Sequence, residues 1–254
     1  MTEIDDIKRL NPLAFSWLKN GIYALAIAGI YSIILVMLRA PQISHLIANK
    51  ELFKPALIVH VNLSVLVWLM SITSVFWSYG VKNFFFDSSF SRLGFAGLIL
   101  MSISPFVGES HPIMNNYVPM LENLSFVIGL TLFGVATLFF ALTTFVVSLF
   151  DLRSTVESIG TLGVFKLTSA LMYIAVWGCF ALSYFELEEV KQIVPIDIDF
   201  YYELLYWSGG HLLQFVYTQS LMFALMVLFE AWIGSKLNLI QAYKFLFVIN
   251  FYLN

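Results

Sequence analysis

Apolar runs of about twenty residues recur along the chain, each separated from the next by a shorter polar stretch. At about 1.5 Å per helical residue, such runs are long enough to cross roughly 30 Å of hydrocarbon. The pattern predicts an all-α, polytopic transmembrane bundle with six full spans in a single domain. The expected spans run from Gly21 to Leu38, Pro55 to Tyr79, Phe90 to Val107, Leu124 to Phe150, Val164 to Phe185 and Tyr201 to Ile233. A partial seventh starts near Tyr243 and reaches Asn254, about ten residues and too short for a full crossing. The polar connection from Gly108 to Tyr117 has the composition of turns and is expected on the outer surface.

Composition strengthens this picture. Apolar residues make up 60% of the chain and charged residues 11%, where soluble domains carry about a quarter charged residues. That much apolar surface needs a lipid bilayer as its partner. The net charge of −3 gives no basic face for a polyanion, which excludes nucleic acid. The single cysteine, Cys179, lies inside an apolar run and excludes a disulfide framework or a thiolate cluster; packing is its expected role. The first residues are acidic and no small-residue cleavage site follows the first run, so no removable signal peptide is expected.

With the N-terminus inside, Lys8, Arg9, Lys19, Lys82, Arg92, Arg153, Lys166, Lys236 and Lys244 fall on the inner side. Only Arg39, Lys50, Lys54 and Lys191 fall outside. The positive-inside rule favours this orientation, with the N-terminus in the cytoplasm of a bacterium and the spans in its inner membrane. Spans two and six then both enter from the outer face. The outer connections are acidic at Glu186, Glu188, Glu189, Asp197 and Asp199, which solvation explains.

Those two spans carry the candidate chemistry. Counted from Pro55 and Glu203, His60 and His211 lie about 8 to 12 Å into their helices. Ionisable side chains within spans are costly and mark functional sites by default. On a straight-helix projection His60 shares a small, polar face with Ser64, Ser71, Ser74 and Ser78. His211 shares one with Trp207, Gln214, Phe215 and Thr218, and follows the pair Gly209 and Gly210, which suggests close approach by another group. Neutral imidazole is a common ligand for copper, iron and zinc, and needs its second nitrogen oriented. Ser64, Ser208, Gln214 and Thr218 are the candidate orienting residues. The structural alternative is an interhelical hydrogen bond at each histidine, worth about 0.6 kcal/mol.

The segment Trp207-Ser-Gly-Gly-His211 resembles the sixth helix of subunit I of the heme–copper oxygen reductases, the cytochrome oxidases, where a W-x-x-G-H segment supplies a copper-binding histidine. The stretch from Val59 to Trp68, containing His60, is similar to that family's second helix, whose histidine is an axial ligand of the low-spin heme. The resemblance covers Pro55 to Trp232 in topology and about twenty-five residues in motif. It implies that His60 is a heme ligand, that His211 is a copper ligand, and that the function is respiratory electron transfer to oxygen, or to nitric oxide in the related reductases. Tyr217 is the candidate proton or electron donor, although it stands six residues beyond His211, where some members place tyrosine at the fourth and Phe215 stands here. Leu212 replaces the proline that often follows the histidine. The family's remaining ligands, on helices seven and ten, have no counterpart before Asn254. The resemblance is therefore to an N-terminal half, incompetent for oxygen reduction alone and completed by a second chain or other oxidase subunits.

A non-redox multi-pass protein, a transporter or inactive relic with structural histidines, is the alternative. Other polar residues read as structural: His45 and His111 as solvated groups of outer connections, Glu230 as an interfacial acid, and Trp68, Trp77, Trp177 and Trp232 as packing or belt residues. No phosphate-binding glycine loop, HExxH helix or nucleophile motif occurs.

Overall fold

The computed structural model describes residues 11–41, 50–79, 88–154 and 161–233. The partial seventh run and His45 lie outside these residues. Among the described residues six helices are long and apolar enough to cross a membrane, so the chain is a multi-pass, helical membrane protein. They are α1 (Pro12–Arg39), α2 (Phe53–Ser78), α3 (Ser89–Ile103, extended by a 3₁₀ turn, Ser104–Phe106), α4 (Leu124–Ser154), α5 (Thr161–Lys191) and α6 (Ile198–Ile233).

The first helix begins nine residues before the expected Gly21, and its start has a local cause. Asn11 accepts a hydrogen bond from the Leu13 amide at 2.8 Å, and Pro12 supplies a preset φ at the first helical position. The same Asn11 donates to the Ser78 carbonyl at 3.2 Å, tying the start of α1 to the end of α2. Apolar patterning cannot detect such a cap, because Asn11, Ser16, Lys19 and Asn20 interrupt the run. Helix α5 likewise overruns its expected end at Phe185 to reach Lys191.

Bundle packing is antiparallel between successive helices. Helices α3 and α4 meet backbone to backbone: a Cβ on Gly97 would stand 2.5 Å from the Gly129 carbonyl oxygen, and one on Gly129 2.7 Å from that of Gly97. Small residues permit this approach where lipid gives no hydrophobic drive for helices to associate. Polar side chains bridge the other pairs. Asn20 of α1 donates to the Ser91 carbonyl of α3 at 2.7 Å, Thr73 of α2 meets Ser220 of α6 at 2.8 Å, and Trp77 donates to Ser169 of α5 at 2.9 Å. Lys166 of α5 is buried and donates to the Tyr79 carbonyl at the end of α2.

Two features depart from a plain six-helix bundle. Residues Asn62–Val67 of α2 form a π-helical turn, widening the helix immediately after His60. Such turns are rare and frequently accompany functional sites. The extra residue shifts the phase of everything that follows, so the straight-helix line from His60 to Ser78 does not hold. Ser71 packs beside Gly21 of α1, while Ser74 and Ser78 return hydrogen bonds to carbonyls of their own helix. The second departure is the α3–α4 connection, which folds into a two-stranded antiparallel hairpin, β1 (His111–Ile113) with β2 (Met120–Glu122). Its start is exposed, as expected, and His111 lies there. Its return, from Val118 to Leu121, is buried in the end of the bundle.

Candidate functional site

Both intramembrane histidines lie at the hairpin end of the bundle, and one short segment of the connection reaches the neighbourhood of each. Tyr117 meets His211 of α6, and the Pro119 carbonyl accepts a hydrogen bond at 2.8 Å from Asn62, two residues after His60.

The half-buried His60 places Nδ1 2.8 Å from the carbonyl oxygen of Ala28 in α1. A carbonyl can only accept, so Nδ1 carries the hydrogen. In a neutral imidazole the lone pair then sits on Nε2, which has no protein partner among the described residues. An orienting hydrogen bond at one ring nitrogen and an available lone pair at the other is the arrangement that metal-ligating histidines require. Ser64 does not orient the ring, contrary to expectation. Its hydroxyl donates to the His60 carbonyl at 2.7 Å, the habit of serine inside helices.

The other imidazole has the same tautomer for the same reason. Nδ1 of His211 stands 2.8 Å from the Trp207 carbonyl, one turn earlier on α6. Its Nε2 is 3.2 Å from the Tyr117 hydroxyl, which donates to it. The ring lies between two aromatics, Trp207 edge-on at 4.7 Å and Tyr117 at 4.9 Å between centroids. Here too the expected orienting residues fall elsewhere. Ser208 pairs with Ser183 of α5 at 3.3 Å, Gln214 is exposed, and Thr218 donates to the Gln214 carbonyl at 2.9 Å. The backbone of α6 and the hairpin connection orient His211 instead. Among the described residues the buried Tyr217 hydroxyl has no hydrogen-bond partner, and it bonds to neither imidazole.

The glycine pair before His211 does mark close approach, and the approaching groups are aromatic rings of the protein. A Cβ on Gly209 would be 2.3 Å from the Phe180 ring of α5, and one on Gly210 would be 2.5 Å from the Tyr117 ring. The connection carrying Tyr117 is held in turn. Asn115 accepts from the Tyr117 and Val118 amides at 3.1 and 2.7 Å, while Asn116 donates to both carboxylate oxygens of Glu203, from its amide at 2.9 Å and its side chain at 2.8 Å. Beside this arrangement lies an apolar cavity of about 410 Å³, bordered by Val118, Gly134, Val176, Phe180, Tyr206 and Leu213.

Asn62 and Tyr117 are the residues that sequence reasoning passed over. Asn62 carried a signal, an amide inside an apolar span; it is 1% exposed and donates to both the Ile58 and Pro119 carbonyls. Tyr117 carried none, because its role depends on a tertiary contact 94 positions away. Among the described residues, no group of three or more His, Cys, Asp or Glu side chains is gathered to hold a metal ion.

Comparison with known proteins yields two relatives of unassigned role. The chain is 41% identical over 267 aligned residues to the uncharacterized protein RP382 of Rickettsia prowazekii, covering 95% of this chain and 51% of that one. It is 27% identical over 204 residues to an uncharacterized protein of Aquifex aeolicus, covering 79% of this chain and 49% of that one. The chain thus spans about half the length of the curated relatives it matches. No protein-family model and no solved structure matches it.

Proposed function

We propose that this chain is a subunit I-like membrane protein of the heme–copper oxygen reductase type, holding a heme through Nε2 of His60 and a copper ion at His211. It lies in the bacterial inner membrane with its N-terminus in the cytoplasm. One observation carries the proposal: inside a transmembrane helix the His60 imidazole is fixed at Nδ1 by the Ala28 carbonyl, and its Nε2 has no protein partner among the described residues. The Ala28 bond is also the interhelical hydrogen bond of the structural alternative; a histidine that holds heme iron needs that same bond at Nδ1 together with an available lone pair at Nε2. The heme supplies one-electron redox chemistry; the protein supplies the oriented imidazole and the surrounding low dielectric.

At His211 the fit has a condition. The Nε2 lone pair already accepts the Tyr117 hydrogen, so a metal ion there replaces that hydrogen. One imidazole does not complete a three-histidine copper site or a bis-histidine heme. The remaining ligands are assigned to helices outside the described residues, on this polypeptide or a second chain. Both matched relatives extend to about twice the matched length, which supports that assignment. Alone, the described bundle does not reduce oxygen.

The test is spectroscopic. Membranes from cells expressing the chain, together with any adjoining reading frame, are solubilised and the protein is purified. It should show a Soret band that is lost or strongly weakened in His60→Ala. A protein free of heme and copper would leave both histidines as structural hydrogen-bonding groups and end the redox proposal.

A further inference from the structure

One face of α6 is left open by the described residues, and it is poorly suited to lipid. At alternating steps of four and three residues it presents Trp207, His211, Gln214 and Thr218. The same steps continue through Leu221, Leu225, Leu228 and Trp232, which are between 56% and 81% exposed. A spacing of about 3.5 residues is the seam by which one helix packs along another at about 20°. The outer half of this seam is polar. Gln214 and Thr218 fall at the middle of Ile198–Ile233, which places them at mid-depth in hydrocarbon. Thr218 satisfies its hydroxyl on the Gln214 carbonyl of its own helix. The exposed Gln214 amide, which can both donate and accept, has no side-chain hydrogen bond among the described residues. Against acyl chains it would stay unsatisfied, which hydrocarbon penalises heavily. The exposed face of α1 shows what a lipid-facing surface of this bundle looks like: Ile22, Leu25, Ile30 and Ile33.

We propose that the open seam of α6 is the interface for a further transmembrane helix, supplied by the polypeptide that makes up the unmatched half of the relatives. That helix carries a hydrogen-bonding side chain opposite Gln214 and apolar side chains opposite Leu221, Leu225 and Leu228. About half of each relative lies outside the matched region, so polypeptide for such a helix exists in both. The contacts α6 already makes leave room for it. Gly209 packs on Phe180 of α5 and Ser220 bonds to Thr73 of α2, each two residues from a seam position and so about 200° around the helix. A helix laid along the seam displaces neither. Polar side chains already join the other helices of the bundle, as Asn20 does α1 to α3, and Gln214 offers the same bond to a helix not yet in place. The inference stands on exposure and hydrogen bonding and needs no metal, so it is independent of heme at His60 and of copper at His211.

The experiment is photo-cross-linking in intact membranes, with the chain expressed in its longest reading frame together with any adjoining one. Benzoylphenylalanine replaces Trp207, Leu221 or Leu228 in turn, which leaves Gln214 and Thr218 in place, and replaces Ile33 of α1 as the lipid-facing control. After irradiation the adducts are mapped by mass spectrometry, with tagged and untagged copies co-expressed to separate contacts within one copy from contacts between two. The expected result is a lipid adduct at Ile33 and, at all three seam positions, adducts to a single apolar helix outside the described residues. On that helix the sites reached from Trp207 and Leu221 should flank an amide, hydroxyl or imidazole side chain. Lipid adducts at the seam, like those at Ile33, would overturn the proposal. Adducts between tagged and untagged copies would overturn it in favour of a dimer, and adducts to an unrelated membrane protein would overturn the assignment of the partner. A mapped helix without a hydrogen-bonding side chain between the two sites would overturn the pairing with Gln214. Should a seam variant fail to accumulate, Leu225 takes its place, since it is on the same face and 56% exposed.

Discussion

Gly210→Ala places one methyl group against the best-defined contact of the site. Its Cβ would lie 2.5, 2.5 and 2.6 Å from Cδ1, Cγ and Cβ of Tyr117, distances that real side chains essentially never show. Flexible side chains relieve such clashes by swinging away, but here the crowded atoms include the root of the Tyr117 ring. That root is tied to a connection held by Asn115, Asn116 and Glu203. Relief therefore requires the hairpin to lift or α6 to move. Overpacking of this kind costs about 1–3 kcal/mol, against a helix-propensity gain for alanine of up to about 1 kcal/mol. Loss of the Tyr117–His211 hydrogen bond adds about 0.6 kcal/mol, the average within membranes. The net expectation is a destabilisation of about 1–2 kcal/mol. Gly29→Ala is the control, because nothing lies within 4 Å of a Cβ there and only the propensity gain remains. Reversible unfolding in mixed micelles, together with hydrogen exchange across residues 111–122, measures both quantities. A Gly210→Ala protein as stable as Gly29→Ala, with unchanged protection of the hairpin, would refute the close fit of Tyr117 onto α6.

Other consequences concern the rest of the framework. Gly97→Ala should cost about 3 kcal/mol or prevent assembly, because its clash is with the Gly129 carbonyl and Phe133 amide and no side chain can yield; thermal denaturation of the purified protein measures it. Asn62→Leu removes the tie between the π turn and Pro119 and should cost about 1–3 kcal/mol, with faster exchange in the connection; unchanged exchange would separate the π turn from the hairpin. Glu203→Ala frees an exposed clamp, so global stability should drop by less than about 1 kcal/mol while limited proteolysis between residues 108 and 122 accelerates. Thr73→Val deletes a single α2–α6 hydrogen bond and should cost about 0.6 kcal/mol, read by the same unfolding assay.

The membrane fold was legible because hydropathy is a property of contiguous residues. All six spans appear where the apolar runs are, and α2, α4 and α6 match to within a few residues. Ends set by polar caps were less legible, as Asn11 shows for α1. The two imidazoles were visible as ionisable groups in apolar surroundings, and the glycine pair correctly signalled close approach. What orients the imidazoles was not visible. Each Nδ1 uses a backbone carbonyl, and carbonyls exist at every position, so no residue type could announce Ala28 or Trp207. Side chains spaced for the task, Ser64, Gln214 and Thr218, lost to those carbonyls or point elsewhere. The phase of α2 was illegible too, since no glycine or proline in Asn62–Val67 marks where the π turn adds its residue. The Tyr117 contact required the connection to fold back onto α6, a tertiary event governed by Asn115, Asn116 and Glu203 together.

The central claim is that the lone pair on His60 Nε2 is there to bind iron. Its most direct measurement is the heme content per chain of purified wild-type, His60→Ala and His211→Ala proteins, each co-expressed with any adjoining reading frame, by pyridine hemochrome assay. The account predicts stoichiometric heme in the wild type and in His211→Ala, and its loss in His60→Ala. Equal heme in all three, or none in any, would contradict it.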